Sequence, residues 1–258
     1  MGIFKGGRNS MSGHSKWSNI KHRKGKEDAR KGKVFTKLAR AITVAVKEGG
    51  SEPEYNPLLK AAIEKAKIEN MPNDNIDRSI KKAAGDQNEN LFETINYEGY
   101  GPAGIAVLVS CLTDNRNRTA SDVRHSFDKF GGNLGQSGCV SFMFDKRGLV
   151  VIKREDNIDE EELMLKAIDM GAVDFSSNDE EFEILTNPED FNIIRDKLKE
   201  DGYDFVTAEI SYIPQNTIKL SEEKDIKNMV KMIESLEDND DVQEVYYNWE
   251  IPDDLEVE

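Results

Sequence analysis

The 258-residue sequence predicts an α+β fold: an N-terminal three-helix domain followed by two α+β (ferredoxin-like) domains, one inserted in the other. Three observations carry this. Helical periodicity with clear stop signals ends at Gly85, and apolar residues then alternate with polar ones. The order strand, helix, strand, strand, helix, strand fills residues 149–213, a complete ferredoxin-like unit. The last helix and strand are too small a pair to bury a core unaided, so they are expected to complete the unit that precedes the insertion. The expected domains are a leader and basic arm (1–25), a helical basic domain (26–90), an α+β domain (91–146 plus 214–258) and an inserted domain (147–213).

The helices are placed by their ends. Glu27 to Glu48 runs into Gly49-Gly50; Pro57 to Asn70 opens behind an Asn56 cap with proline in its first turn; Asp74 to Ala84 stops at Gly85. Strands are expected at Thr94 to Glu98 and Ile105 to Thr113. A helix entered through a Thr119 to Asp122 capping box follows, with Val123, Phe127 and Phe130 on one face and Gly131-Gly132 at its end, and then a strand at Gly138 to Phe144. The inserted unit reads Leu149 to Lys153, Asp159 to Met170, Val173 to Ser176, Phe182 to Leu185, Pro188 to Glu200 and Phe205 to Ile213. The closing pair is Ser221 to Glu237 and Val242 to Trp249.

The net charge of -15 conceals a strong polarity. Residues 1–85 hold 19 Lys/Arg against 9 Asp/Glu, whereas residues 86–258 hold 16 against 41. A chain that is +10 at one end and -25 over the rest suits a polyanionic partner at the basic end only. Residues 11–25 read as a basic arm, with Lys16, Lys21, Arg23 and Lys24 and almost no apolar periodicity. Within it Trp17 could stack on an unpaired base or staple the arm to the helices. On a helical wheel Lys26, Arg30, Lys33, Lys37, Arg40 and Lys47 fall in one stripe opposite Val34, Phe35, Leu38, Ala41, Ile42, Ala45 and Val46. Like charges in a row repel, so the stripe expects an anion, and phosphate is the expected one. A solvated face is the alternative, although such faces interleave Glu with Lys and this one has none between Asp28 and Glu48. The second-tier candidates are Arg116 and Arg118, in a polar loop whose Asp and Asn also suit turn building. Lys60, Lys65, Lys67, Arg78, Lys81 and Lys82 read as solvated-face residues able to extend the basic surface.

Other classes find little support. Cys111 and Cys139 lie in apolar runs and read as small core residues in a reducing cytoplasm. His14, His22 and His125 lack metal-ligand spacing, and Gly131-Gly132 follows a helix rather than a strand, the wrong order for a phosphate-binding turn. No catalytic residue, metal, cofactor, small-molecule substrate or membrane span is expected, and no symmetric interface signal argues against a monomer.

Five stretches go further: SGHSKWSNIKHRKG at 12–25, NMPNDNIDRSIKK at 70–82, YEGYGPAGIAVL at 97–108, LTDNRNRTASDVRH at 112–125 and FGGNLGQSGCVSFMF at 130–144. With these motifs the chain from Met11 onward resembles the YebC family, and no function is assigned to Met1 to Ser10. Asn73, where family members often carry Lys, and Ala103, in place of a frequent Gly, are small departures. The resemblance implies three domains and a regulator of gene expression. Its bacterial members are described as DNA-binding transcriptional regulators, its mitochondrial relatives as translational activators, and others are associated with easing ribosome stalling at proline-rich stretches. The expected partner is therefore nucleic acid, either DNA or ribosomal or messenger RNA, with the ribosome included. In that reading the arm and stripe hold phosphates and the acidic domains face away or engage proteins. The competing reading is an acidic protein-binding adaptor with no direct nucleic-acid contact.

Overall fold

The computed structural model describes residues 27–85 and 92–252, apart from the side chains of residues 27–31. Three helices come first: α1 (Glu27–Gly49), α2 (Pro57–Ile68) and α3 (Asn73–Gly85). Their apolar stripes meet in a small core of Leu38, Ile42, Ala45, Val46, Leu59, Ala66, Met71, Ile76 and Ala83, with Val34 and Phe35 packed at its margin. Asn56 caps α2 as expected, its Oδ1 accepting from the Leu59 N–H at 3.1 Å. Its Nδ2 also donates to the Ala45 and Gly50 carbonyls, tying the end of α1 to the start of α2. A Cβ at Gly49 would lie 2.7 Å from that amide, which leaves room for glycine alone.

An outer α+β unit follows: β1 (Glu93–Tyr100), β2 (Ala106–Thr113), α4 (Arg116–Lys129) and the short β3 (Asn133–Leu134). The inserted unit is β4 (Phe144–Lys153), α5 (Glu160–Asp169), β5 (Asp174–Ser177), β6 (Glu181–Thr186), α6 (Phe191–Glu200) and β7 (Phe205–Pro214). Its antiparallel sheet has the order β5-β6-β4-β7, the ferredoxin-like arrangement, and α5 and α6 cover one face through Leu163, Ala167, Phe191, Ile194 and Leu198. The chain then returns through β8 (Ile218–Lys219), α7 (Glu223–Glu237), β9 (Val242–Tyr247) and β10 (Trp249–Glu250). Strand β9 completes the first sheet in the order β3-β1-β2-β9, and α7 joins α4 over Val107, Val109, Cys111, Val245 and Trp249. The closing helix and strand thus finish the unit that the insertion interrupts.

Two local expectations need correction. The helix expected from Thr119 begins a turn earlier at Arg116, because the Asn115 side chain accepts from the Arg118 N–H at 3.1 Å and caps it there. Thr119 is buried inside the first turn. The strand expected at Gly138 to Phe144 is a turn and a short 3-10 segment, Ser141–Met143; β4 starts only at Phe144 and runs unbroken through the stretch expected to be a separate strand. One long strand therefore leaves the outer unit and becomes a central strand of the inserted one. Its partner β7 runs back beside it, and Tyr212 of β7 meets Tyr246 of β9 edge to face at 5.2 Å.

Candidate nucleic-acid interface and the interdomain junction

The α1 stripe does not face solvent along its length. Lys33 donates to the Asp238 carboxylate at 2.9 Å and Lys37 to the Glu237 carbonyl at 2.7 Å, so two cations cap the C-terminal end of α7, where unpaired carbonyls and the helix dipole favour positive charge. Burial pulls the Lys37 ammonium below its ordinary range, with Glu244, Glu237 and Asp240 pulling the other way. Arg40 reaches further in. Its Nη1 donates to the carbonyls of Leu112 (3.1 Å) and Asp240 (2.9 Å) and to the Asp241 carboxylate (2.7 Å), while its guanidinium lies 5.2 Å from the Phe92 ring centroid.

Asp241 is the centre of this network. Besides Arg40 it accepts from Arg118 Nη2 at 2.7 Å and Nε at 3.2 Å, from Thr119 Oγ1 at 2.7 Å and from Thr113 Oγ1 at 3.2 Å. Burial alone would raise its pKa, but hydrogen bonds from Arg118, Thr119 and Arg40 hold the carboxyl below the usual aspartate range. Arg118 is braced from Asp114 as well, at 3.0 Å.

A second junction lies on α2. Lys65 is sandwiched between Glu209 of β7, at 2.8 Å, and Glu244 of β9, so one ammonium joins all three units. Burial opposes its charge, yet Glu209 and Glu244 together drive its pKa well above the ordinary lysine value. Nearby, Lys60 pairs with Asp196 at 3.0 Å, and the buried Arg195 of α6 pairs with Glu64 at 2.8 Å and Asp196 at 2.7 Å.

The expected site residues therefore separate. Lys33, Lys37 and Arg40 are consumed by the acidic segment from Glu237 to Asp241, so the expectation that these three reach out to phosphate while the acidic domains face away is corrected. Opposite charges within the chain meet first. Arg118 is likewise spent on Asp241 and Asp114, and Arg116 stands exposed, 4.0 Å from Glu93. Lys47 is exposed in the last turn of α1. The Arg30 side chain lies outside the description, as do Lys16, Trp17, Lys21, Arg23, Lys24 and Lys26. By contrast Lys67, Arg78, Lys81 and Lys82 are exposed and form no ion pair among the described residues; the last three share one face of α3. Sequence reasoning missed Glu209, Asp241 and Glu244, and it read Lys65 as a solvated-face residue where the fold holds it between two carboxylates. A signal was present in the acidic run Glu237-Asp238-Asn239-Asp240-Asp241, a counterpart to the stripe.

Cys111 is fully buried against α4 and α7, and burial pushes its thiol up to about 12, as suits a core residue. No helix among the described residues is long and apolar enough to cross a membrane.

Comparison with known proteins agrees with this architecture. Residues 15–86 match the family model described as the TACO1/YebC protein N-terminal domain, and residues 92–249 match the TACO1/YebC second and third domain. A "probable transcriptional regulatory protein" of Finegoldia magna is 61% identical over 240 residues, covering 93% of this chain and 99% of the relative. One of the same name from Acetivibrio thermocellus is 59% identical over 239 residues, again covering 93% and 99%. The crystal structure of Aq1575, a conserved hypothetical protein from Aquifex aeolicus, superposes with a TM-score of 0.82 at 45% identity, covering 95% of this chain and 100% of that one. With both family models matched across nearly all of its length, and the three-unit fold shared with a solved relative, the chain belongs to the TACO1/YebC family.

Proposed function

We propose that this protein is a non-enzymatic regulator of gene expression that acts in the cytoplasm by binding nucleic acid through its N-terminal helical unit and the basic stretch ahead of it. The observation that carries the reading is the division of the helical unit's cations. One set is neutralised by the acidic domains, while Lys67, Arg78, Lys81 and Lys82 are left on the surface, and the sequence of residues 16–26 carries further positive charge. Contact through such a surface is electrostatic and blind to sequence, since no base-reading helix or aromatic sheet motif accompanies it among the described residues. That favours RNA or the ribosome as the target over an operator, in line with translational relatives and with the easing of stalls at proline-rich stretches. The names of the bacterial relatives favour transcription instead. The acidic domains set the orientation of the helical unit through the Asp241 and Lys65 junctions.

Gradient sedimentation of lysate with and without ribonuclease separates these outcomes. Ribonuclease-sensitive comigration with ribosomes, lost when Arg78, Lys81 and Lys82 become Glu, is the expected result. Salt-dependent binding to duplex DNA without ribosome association would instead establish the transcriptional reading. Salt-insensitive association with a protein alone would leave the adaptor reading standing.

A further inference from the structure

The three units are joined in two different ways. The outer and inserted units share an apolar cluster: Ala106, Leu108, Val140 and Tyr246 of the outer unit meet Phe144 at the start of β4, and Tyr212 of β7 packs against them. Among the described residues no buried apolar cluster joins the helical unit to either of the others, and its own core is drawn from residues 34–83 alone. The bonds described above that cross its boundary all have a lysine or arginine as donor: Lys33, Lys37, Arg40, Lys60 and Lys65 from one side and Arg195 from the other.

The two sides of this boundary depend on it unequally. Without Arg40, Asp241 would keep Arg118 and Thr119 at 2.7 Å and Thr113 at 3.2 Å, all within its own unit. Arg195 and Asp196 are paired with each other on α6 at 2.7 Å, so each keeps a partner if Glu64 and Lys60 depart. Lys65, between Glu209 and Glu244, is the point where the α+β body gains most from the contact. On the helical side, among the described residues, the hydrogen bonds of the Lys33 and Lys37 ammonium groups and of the Arg40 guanidinium all run to Leu112 or to the segment from Glu237 to Asp241. Separating two charged faces returns both to water and recovers the desolvation that docking costs, whereas parting two apolar faces recovers nothing. The body is thus neutralised largely from within, and the cations of α1 are neutralised only by docking.

From this asymmetry we infer that the boundary is a charge-held latch. The helical unit docks on the α+β body as a folded whole, covers Lys37 and Arg40 while docked, and leaves intact when ions screen the contacts. The latch thereby regulates how much positive charge the helical unit presents, and it stands or falls without the nucleic-acid reading.

The test uses the full chain without any ligand. Lysine amines are acetylated at about 0.1 M and at about 1 M NaCl, between which the screening length falls from about 10 Å to about 3 Å, and the modified sites are read by mass spectrometry. The rate at Lys37, taken relative to the exposed Lys81, is expected to rise by about 10-fold at the higher salt, where the pairs are screened. Small-angle scattering should report a larger particle, while the helix signal in circular dichroism and the protection of the buried Cys111 thiol stay unchanged. Asp238→Lys combined with Asp240→Lys, both at exposed positions, should produce the same open state at the lower salt. A relative Lys37 rate that stays level in both the salt series and the variant would overturn the inference. So would a rise accompanied by lost helix signal or by reaction of Cys111, because the chain would then be melting rather than opening at the boundary.

Discussion

Lys37 on α1 and Lys81 on α3 belong to the same three-helix unit, and the sequence reads Lys37 as part of a stripe expecting phosphate and Lys81 as a solvated-face residue. In the fold, Lys37 is driven into the end of α7 and reaches the Glu237 carbonyl at 2.7 Å, whereas Lys81 stands on an exposed face without an ion-pair partner among the described residues. The comparison teaches that a stripe of like charge announces an anion without saying whose. Here the protein supplies its own for α1, placing carboxylates and helix-end carbonyls where phosphates were expected, and leaves α3 to the outside.

The sharpest way to break this contrast is at Asp241. Asp241→Ala removes the acceptor shared by Arg40, Arg118, Thr119 and Thr113 and leaves cations facing a site with no countercharge. A loss of about 3 kcal/mol or more is expected in urea unfolding. A loss under about 1 kcal/mol would mean that the junction is decorative and α1 is free to seek another anion.

Lys65→Met comes next. It leaves Glu209 and Glu244 facing each other without the ammonium, and, because the lysine is partly exposed, the expected cost is about 1 to 2 kcal/mol.

Acid offers a reversible version of the first experiment. The folded-state pKa of Asp241 lies below its unfolded value near ~3.9, so its contribution is complete above that value and is lost as pH falls toward the folded pKa. Urea midpoints are therefore expected to decline below about pH 4, and the decline should be shallower in Asp241→Asn than in the wild-type chain.

On the exposed side, Arg78, Lys81 and Lys82 changed together to Glu should alter stability by about 0.5 kcal/mol or less per site. The slope of log binding against log salt should shrink by about 2 to 3 if each cation meets a phosphate. The smallest effect is expected from Lys33→Ala. Its pair with Asp238 leaves the two side chains 45% and 63% exposed, so water screens it and the loss should stay below about 1 kcal/mol.

Much of the fold was legible because its signals are local. Asn56 before Pro57, the glycines after α1 and the alternation in β2 and β4 act within a few residues of where they stand, and the order of elements in the inserted unit suffices for its sheet. The two misplacements share a cause. Thr119 looked like a helix cap because Ser, Thr and Asp cap helices, but Asn115 reached the first free N–H a turn earlier and Thr119 turned inward to Asp241. The segment Gly138 to Met143 looked like a strand because it is apolar, and only Glu98, forty residues away, fixes it as a turn.

The candidate site divides along the same line. By itself the sequence determined that the N-terminal part is basic and the remainder acidic, that α1 carries cations on one side and apolar residues on the other, and that the chain resembles its family over nearly all its length. Which cations are spent was decided by tertiary structure alone. A hydrophobic stripe fixes how a helix is rotated about its axis, but the anion that meets its polar face comes from a segment some 200 residues away, placed there by the return of the chain after the insertion. Charge is additive along a sequence, whereas its neutralisation depends on distances of a few ångströms and on burial, and those exist only once the chain has folded.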